Sequence, residues 1–333
     1  MTTRQHPISS GFGASSTTDD VIRGLDLSGT TAIVTGGYAG LGLETTRTLV
    51  SAGANVIVPA RDLDKARQAL AGLKGAEIEE MDLIDPNSID TFAAGFLASG
   101  RPLHILVNSA GIMGLPELTK DGRGFEYHFA TNHLGHFQLT GRLWPALRRA
   151  GGARVVSVSA WAHRQSKVIY DDPNFERREY KPMLGYGQSK TANILFAVGV
   201  DKRGRDEGIR AFALHPGSII TDLARYATLE QLRNFGVVDD EGQPIIDPAR
   251  QLKTIKQGAA TQVWCATHPK LNGLGGVYCE NVEVASLVLK EDNAPWKSDD
   301  STRQVGVMPY AVDPEEADRL WSLSEQLLGL QLP

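Results

Sequence analysis

In the run Tyr186-Gly187-Gln188-Ser189-Lys190 a phenol and an ammonium stand four residues apart. On a helix, positions four apart share one face, so both groups can point into the same cleft. A tyrosine is a poor base near neutrality. A neighbouring ammonium favours the phenolate and lowers the phenol pKa, bringing the hydroxyl towards the range useful for passing a proton to or from a carbinol oxygen. The bare pair has little specificity, because the same spacing suits two residues on a solvent-facing helix. Its meaning depends on what the rest of the chain sets in front of it.

A second constellation, Thr35 to Gly42 (T-G-G-Y-A-G-L-G), follows the apolar run Ala32-Ile33-Val34 and precedes a helical pattern over 41–52. A strand that turns through glycines into a helix presents backbone N–H groups and a positive helix end, which is an anion site. Gly36 can take a backbone angle other residues resist, Gly40 lets main chain approach a pyrophosphate, and Gly42 lets helix and strand pack closely. Tyr38 and Leu41 lie within the same turn. Alone, the pattern is also compatible with a plain tight turn.

Further residues fall where a dinucleotide would need them. Arg61 follows the second expected strand, and Ala60 stands where a carboxylate would grip free ribose hydroxyls. An arginine without that acid fits a 2′-phosphate, so NADP(H) is expected and NAD(H) is the less favoured cofactor. The competing reading pairs Arg61 with Asp62 or Asp64 on the surface. Asp82 and Leu83 follow the third strand, where the acid could accept from an adenine amine or serve an ordinary turn. Asn108-Ser109-Ala110-Gly111 ends the fourth strand, and its small residues let backbone pass close to a flat ligand or make a simple turn.

The elements that must position these groups alternate strictly. Strands are expected near 31–35, 55–59, 77–81, 103–107, 154–158 and 210–214, and a last one at 275–279, with helical patterns between them. Alternation of this kind implies right-handed crossovers, a Rossmann-type doubly wound parallel α/β sheet of about seven strands, and helices on both faces. Residues 1–25 are rich in Ser, Thr and Gly and are expected to form a flexible arm. Residues 26–333 are then a single domain, with a substrate lid over about 222–257 and a C-terminal helix over about 314–329. The apolar stripe Leu320, Trp321, Leu323, Leu327 and Leu328 could pack on its own subunit or on a partner, leaving a homo-oligomer open.

Composition narrows the function. The 333 residues are 41% hydrophobic and 22% charged, as in globular chains. A net charge of −5 with no concentrated basic face argues against nucleic acid. The chain has two cysteines, Cys265 and Cys279, so neither a disulfide framework nor a cysteine metal site is indicated, and no metal is expected. No apolar run is long enough to span a bilayer and no basic-then-apolar signal opens the chain, so the expected location is cytoplasmic.

Taken together, T-G-G-Y-A-G-L-G, N-S-A-G, Asn132 in T-N-H-L-G-H-F, and Y-G-Q-S-K resemble the short-chain dehydrogenase/reductase family over residues 30 to about 225. His215-Pro216-Gly217-Ser218-Ile219-Ile220-Thr221 is similar to the segment that lies against the nicotinamide carboxamide in that family, which implicates Pro216, Gly217, Ile219 and Thr221 in cofactor contact. N-H-L-G-H-F and the long gap before Tyr186 resemble the retinol dehydrogenase-like and WW-domain-containing oxidoreductase-like subgroup, whose members mostly use NADP. The resemblance implies hydride transfer between nicotinamide and a small-molecule carbonyl or secondary alcohol. Tyr186 would be the general acid/base, Lys190 would bind the ribose and lower the tyrosine pKa, and Asn132 would hold a water in a proton relay.

One position departs from the family pattern. The family serine that hydrogen-bonds the substrate oxygen falls, in this subgroup, three residues before the histidine that here is His163, and that position is Ala160. Ser159 is the adjacent candidate, although neighbours in an extended segment point to opposite faces. Loss of one donor to a reacting oxygen can cost a hundredfold or more in rate, on the order of what removal of an oxyanion donor costs. Three readings stand: an impaired or inactive enzyme that keeps its cofactor cleft as a redox-sensitive binding protein, a deliberate Ser-to-Ala change, or a local shift that recruits Ser159. The polar stretch 161–184 is longer than a simple connection needs, and it either shapes the pocket or is a solvated loop.

Overall fold

The computed structural model describes residues 5–288 and 305–332. Among them one sheet has eight strands in the order β3-β2-β1-β4-β5-β6-β7-β8. The strands are β1 (Thr31–Val34), β2 (Asn55–Ala60), β3 (Ala76–Glu80), β4 (Ile105–Asn108), β5 (Ala153–Val158), β6 (Ile209–His215), β7 (Val277–Glu280) and β8 (Glu283–Val284). β1 to β7 pair in parallel, and the two-residue β8 folds back antiparallel on β7. This short return strand is the difference from the expected seven; two residues are too few to carry a period that sequence could reveal.

Helices on both faces explain why the central strands are apolar runs rather than alternating patterns. Every residue of β1 and β4 is buried, as a strand covered on two sides requires. Each large side chain so buried, Ile33, Ile57 or Leu106 for instance, contributes about 1.5–3 kcal/mol relative to exposure. The helices are α1 (Thr18–Ile22), α2 (Gly40–Ser51), α3 (Leu63–Ala69), α4 (Pro86–Ala98), α5 (Gly135–Arg142), α6 (Trp144–Arg149), α7 (Pro182–Gly204), α8 (Leu229–Asn234), α9 (Ile255–Thr267) and α10 (Pro314–Leu328). The edge strand β3 departs from the apolar rule: Ala76 and Ile78 are half-buried, while Glu77, Glu79 and Glu80 are exposed.

Residues 5–25, expected as part of a loose arm, are instead tied down; residues 1–4 lie outside the described residues. The Gln5 amide donates to Tyr278 O at 2.8 Å and Ala285 O at 2.6 Å, and its oxygen accepts from Tyr278 N at 2.8 Å. Thr17 and Asp20 cap α1 reciprocally, and Thr18 donates to Glu44 at 2.7 Å. The Ser and Thr content that suggested disorder serves as caps and hydrogen-bond partners.

At the other end, α10 begins as the sequence suggests, with the Asp313 side chain accepting from Glu315 and Glu316 N–H. Its stripe packs within the chain. Trp321 meets Phe137 at 4.8 Å and Phe196 at 6.2 Å between ring centroids, and Ser324 meets His133 at 2.7 Å.

Candidate active site

Strand order reverses between β1 and β4, and the carboxyl ends of these strands open a crevice where ligands of such sheets bind. After β1 the chain turns at Gly36, whose φ is +66°. A Cβ there would stand 3.1 Å from Ala110 Cα, and one on Gly42 would stand 2.4 Å from Gly36 O, so the turn closes only with glycine at both places. α2 then starts from Ala39 with no side-chain cap, which leaves its first N–H groups to face the crevice.

The resulting cavity has a volume of about 790 Å³ and runs from the glycine turn to Tyr186. Gly36, Tyr38, Gly40, Leu41, Gly42, Arg61, Asp82, Leu83, Ala110, Gly111, Pro216, Gly217, Ile219 and Thr221 line it, together with Tyr186, Lys190 and Ser159. Asn108 does not. Its side chain is buried on the inner side of β4, where Nδ2 donates to Thr140 Oγ1 at 3.2 Å. The close backbone approach expected of that segment comes from Ala110 and Gly111 instead: a Cβ on Gly111 would lie 3.1 Å from Asn132 Oδ1 and 3.6 Å from Lys190 Nζ.

At the far end of the cavity, the surface partners that sequence offered Arg61 are engaged elsewhere. Asp62 caps α3 by accepting from Lys65 N at 3.0 Å, and Asp64 pairs with Arg67 at 2.8 Å. Arg61 is exposed and makes no hydrogen bond or ion pair among the described residues. Beside it, Lys65 reaches across the rim to Asp222 at 2.9 Å, an exposed pair.

Each residue of the Tyr186–Lys190 run has a separate task. Pro182 opens α7, four residues earlier than the motif itself suggests, so Tyr186 lies past its first turn. Gly187 admits Ala162 O, which a Cβ would meet at 2.6 Å. Gln188 is buried; it accepts from Ile169 N at 3.2 Å and from Arg178 at 2.6 Å, and donates to Pro173 O at 2.8 Å. Through it the 161–184 stretch is packed onto α7 and contributes Trp161, Ala162, Gln165 and Met183 to the cavity wall. Ser189 donates to Tyr186 O at 2.7 Å, and Lys190 Nζ donates to Val158 O at 3.0 Å.

Lys190 Nζ is 5.5 Å from the Tyr186 ring centroid, so the two side chains share the cleft as the spacing implies. The direction of the tyrosine shift is the reverse of the expectation. Burial raises the Tyr186 pKa well above the usual phenol value and lowers that of Lys190 to about 7. Loss of water is the cause in both cases. The Tyr186 hydroxyl keeps its proton and has no hydrogen-bond partner among the described residues.

Asn132 lies on a π-helical turn, Phe129–Leu134. Its carboxamide pairs with Ile112, accepting from N at 2.9 Å and donating to O at 3.0 Å, and also donates to Ser189 Oγ at 2.9 Å. Its side chain therefore anchors the loop after β4 to α7 and does not border the cavity. Ser159 likewise has a different task from the one considered for it: its buried hydroxyl donates to Lys190 O at 2.7 Å. Ala160 borders the cavity as a methyl group. His163 is buried with both ring nitrogens engaged, Nδ1 by Ala160 O at 2.8 Å and Nε2 by Met308 N at 3.2 Å.

The sequence pattern described as short chain dehydrogenase matches residues 30–231. The chain belongs to that family. It is 44% identical over 310 residues to the protein named "Probable oxidoreductase" of Streptomyces lividans, covering 92% of this chain and 99% of that one. It is also 35% identical over 315 residues to human "Retinol dehydrogenase 12", covering 92% of this chain and 89% of the other. A solved structure from Mycobacterium paratuberculosis superposes with a TM-score of 0.71 at 30% identity, covering 96% of this chain and 99% of that one.

This short-chain dehydrogenase is therefore an oxidoreductase related to the retinol dehydrogenases. No helix among its described residues is long and apolar enough to cross a membrane. No group of three His, Cys, Asp or Glu among them is placed to hold a metal ion. Three residues that stand in the sequence only as parts of motifs have tasks of their own. Thr35 accepts from Ser109 N and Ala110 N at 2.9 and 3.0 Å. His215 lines the cavity and accepts from Trp161 N at 3.2 Å. His136 lies four residues after Asn132, a spacing that could have flagged it.

Proposed function

We propose that the protein is an NADP(H)-dependent oxidoreductase of small carbonyl compounds or secondary alcohols, with Tyr186 as the group that holds and moves the proton. The observation that carries this reading is a single cavity with Arg61, unpaired among the described residues, and an uncapped helix start at one end and Tyr186 with Lys190 at the other. The cradle suits a dinucleotide: Gly36 and Gly42 let the turn close tightly, and α2 begins without a side-chain cap, so its first N–H groups face the crevice as donors to a pyrophosphate. Bound there, the nicotinamide would give or accept the hydride. Arg61 would hold the 2′-phosphate, and Lys190 the ribose.

Tyr186, kept protonated by burial, is suited to donate to a carbonyl oxygen during reduction. The substrate end is walled by Met113, Trp161, Met183, Tyr226, Phe235 and Val237, which favours an apolar body around the reacting oxygen. Residues of the 222–257 segment supply part of that wall, consistent with a lid. Titration of the protein with NADPH and NADH, followed by turnover with a panel of ketones and aldehydes, tests the reading. Failure to bind either nucleotide would defeat it. Tight binding without turnover would support the second reading, a cofactor-binding protein whose chemistry is weakened at Ala160, which the engagement of Ser159 with Lys190 O favours.

A further inference from the structure

His136 bridges two parts of the site that no covalent connection brings together. Its Nδ1 is 3.0 Å from the main-chain oxygen of Asn132, and its Nε2 is 2.9 Å from Thr35 Oγ1. Thr35 directly follows β1, and its hydroxyl oxygen accepts from Ser109 N and Ala110 N, in the loop after β4, at 2.9 and 3.0 Å. Asn132 lies on the π turn against Ser189 of α7.

The hydrogens in this chain have one consistent arrangement. A carbonyl oxygen can only accept, so Nδ1 carries a proton. The ring is buried, and desolvation together with the Lys190 charge lowers its pKa to about 4, so the other nitrogen is bare at neutral pH. Nε2 must then accept. The single Thr35 proton points to it at 2.9 Å, with Val107 O farther off at 3.4 Å. Both Thr35 lone pairs are left for Ser109 and Ala110.

We propose that His136 is a positioning residue, an imidazole of fixed Nδ1–H tautomer that locks the loop after β4 to the π turn of Asn132. The loop contributes Ala110 and Gly111 to the cavity, while the π turn backs onto the helix of Tyr186 and Lys190. Beside the Asn132 carboxamide, which ties the same loop to α7, the ring supplies a second link that fixes the distance between the dinucleotide wall and the reaction centre; this consequence rests on the function proposed above. Either half can be broken separately, because the two nitrogens have different partners.

The tautomer can be read directly from imidazole nitrogen shifts and couplings in the unaltered protein at neutral pH. A protonated Nδ1 and bare Nε2 are expected; the opposite tautomer, or a charged ring, overturns the proposal whether or not the protein binds a nucleotide. Three variants then divide the function. His136→Asn can still donate to Asn132 O, His136→Gln can still accept from Thr35, and His136→Phe can do neither.

His136→Phe should weaken NADPH binding and slow single-turnover hydride transfer by about tenfold each, the effect of one hydrogen bond left unmade. His136→Asn should restore the rate and not the affinity, and His136→Gln the affinity and not the rate. Three variants that share one defect, scaled to their loss of thermal stability, would make His136 merely structural and overturn the proposal. Failure of the unaltered protein to bind any dinucleotide would instead defeat the functional reading, leaving the tautomer to decide the lock.

Discussion

The Ser159 hydroxyl donates to the main-chain oxygen of Lys190 at 2.7 Å. A serine so engaged secures β5 to α7 and does not stand in for the missing donor at Ala160. Ser159→Ala should therefore lower stability by about 1 kcal/mol, the net value of one hydrogen bond, and leave any residual hydride rate within about threefold, well short of the loss expected for an oxyanion donor. Thermal melts and single-turnover kinetics measure the two. A collapse of the rate with unchanged stability would restore Ser159 to the reaction.

Ala160→Ser should raise the rate of the hydride step by about two to three powers of ten, because a hydroxyl there would strengthen as charge grows on the substrate oxygen. NADPH affinity should stay the same. No gain in rate would show that the substrate oxygen does not approach position 160.

Arg61→Ala should cost NADPH about 1–3 kcal/mol of binding and NADH almost nothing, since a charge-assisted bond to the 2′-phosphate exists only for the former. Equal losses for both nucleotides would place Arg61 on another part of the cofactor.

Tyr186→Phe should abolish turnover while NADPH binding stays near that of the parent protein. Lys190 adds a pH signature. Its pKa is about 7 in the fold against an ordinary 10.5, so between these values the unfolded chain holds a proton that the folded chain lacks. Stability from this group must rise with pH across that window, and its penalty is complete below about pH 7. Lys190→Met should thus raise the melting midpoint of the cofactor-free protein by a few degrees, on the order of 1–2 kcal/mol, at pH 6, with the advantage fading towards pH 10. An advantage independent of pH would assign the effect to packing instead.

Two glycines separate turn geometry from flexibility. Gly42→Ala meets Gly36 O at 2.4 Å and should destroy nucleotide binding. Gly95→Ala, on the exposed face of α4 with nothing within 4 Å of its new Cβ, should stabilise by about 0.5–1 kcal/mol. Calorimetry of both variants beside nucleotide titration distinguishes the two outcomes.

What was legible in the sequence was whatever repeats with a period or sits at a fixed offset. The apolar runs of β1, β2, β5 and β6 and the stripe of α10 carry their own patterns. The glycine turn and the Tyr186–Lys190 spacing each place residues along the same cavity. What escaped depends on contacts between distant segments. Nothing local says that Asn108 turns inward to Thr140, that Gln5 reaches Tyr278, or that Asn132 uses its amide on Ile112. The direction of the tyrosine shift is hidden for the same reason: the nearness of an ammonium follows from spacing, whereas the burial that raises the phenol pKa does not.

The two margins of the sheet differ in how they resist a foreign strand. β8 is only two residues long, and beside it the Gln5 side chain takes up Tyr278 N and the Tyr278 and Ala285 oxygens, so little unpaired backbone remains there to template an addition. β3 presents a longer open row, but it carries Glu77, Glu79 and Glu80. A second chain pairing along β3 would have to bring its own backbone beside the carboxylates of Glu79 and Glu80 and the Glu77–Arg101 ion pair, and strip water from them. Edge-to-edge growth is thereby discouraged at one margin by covering the ladder and at the other by charge.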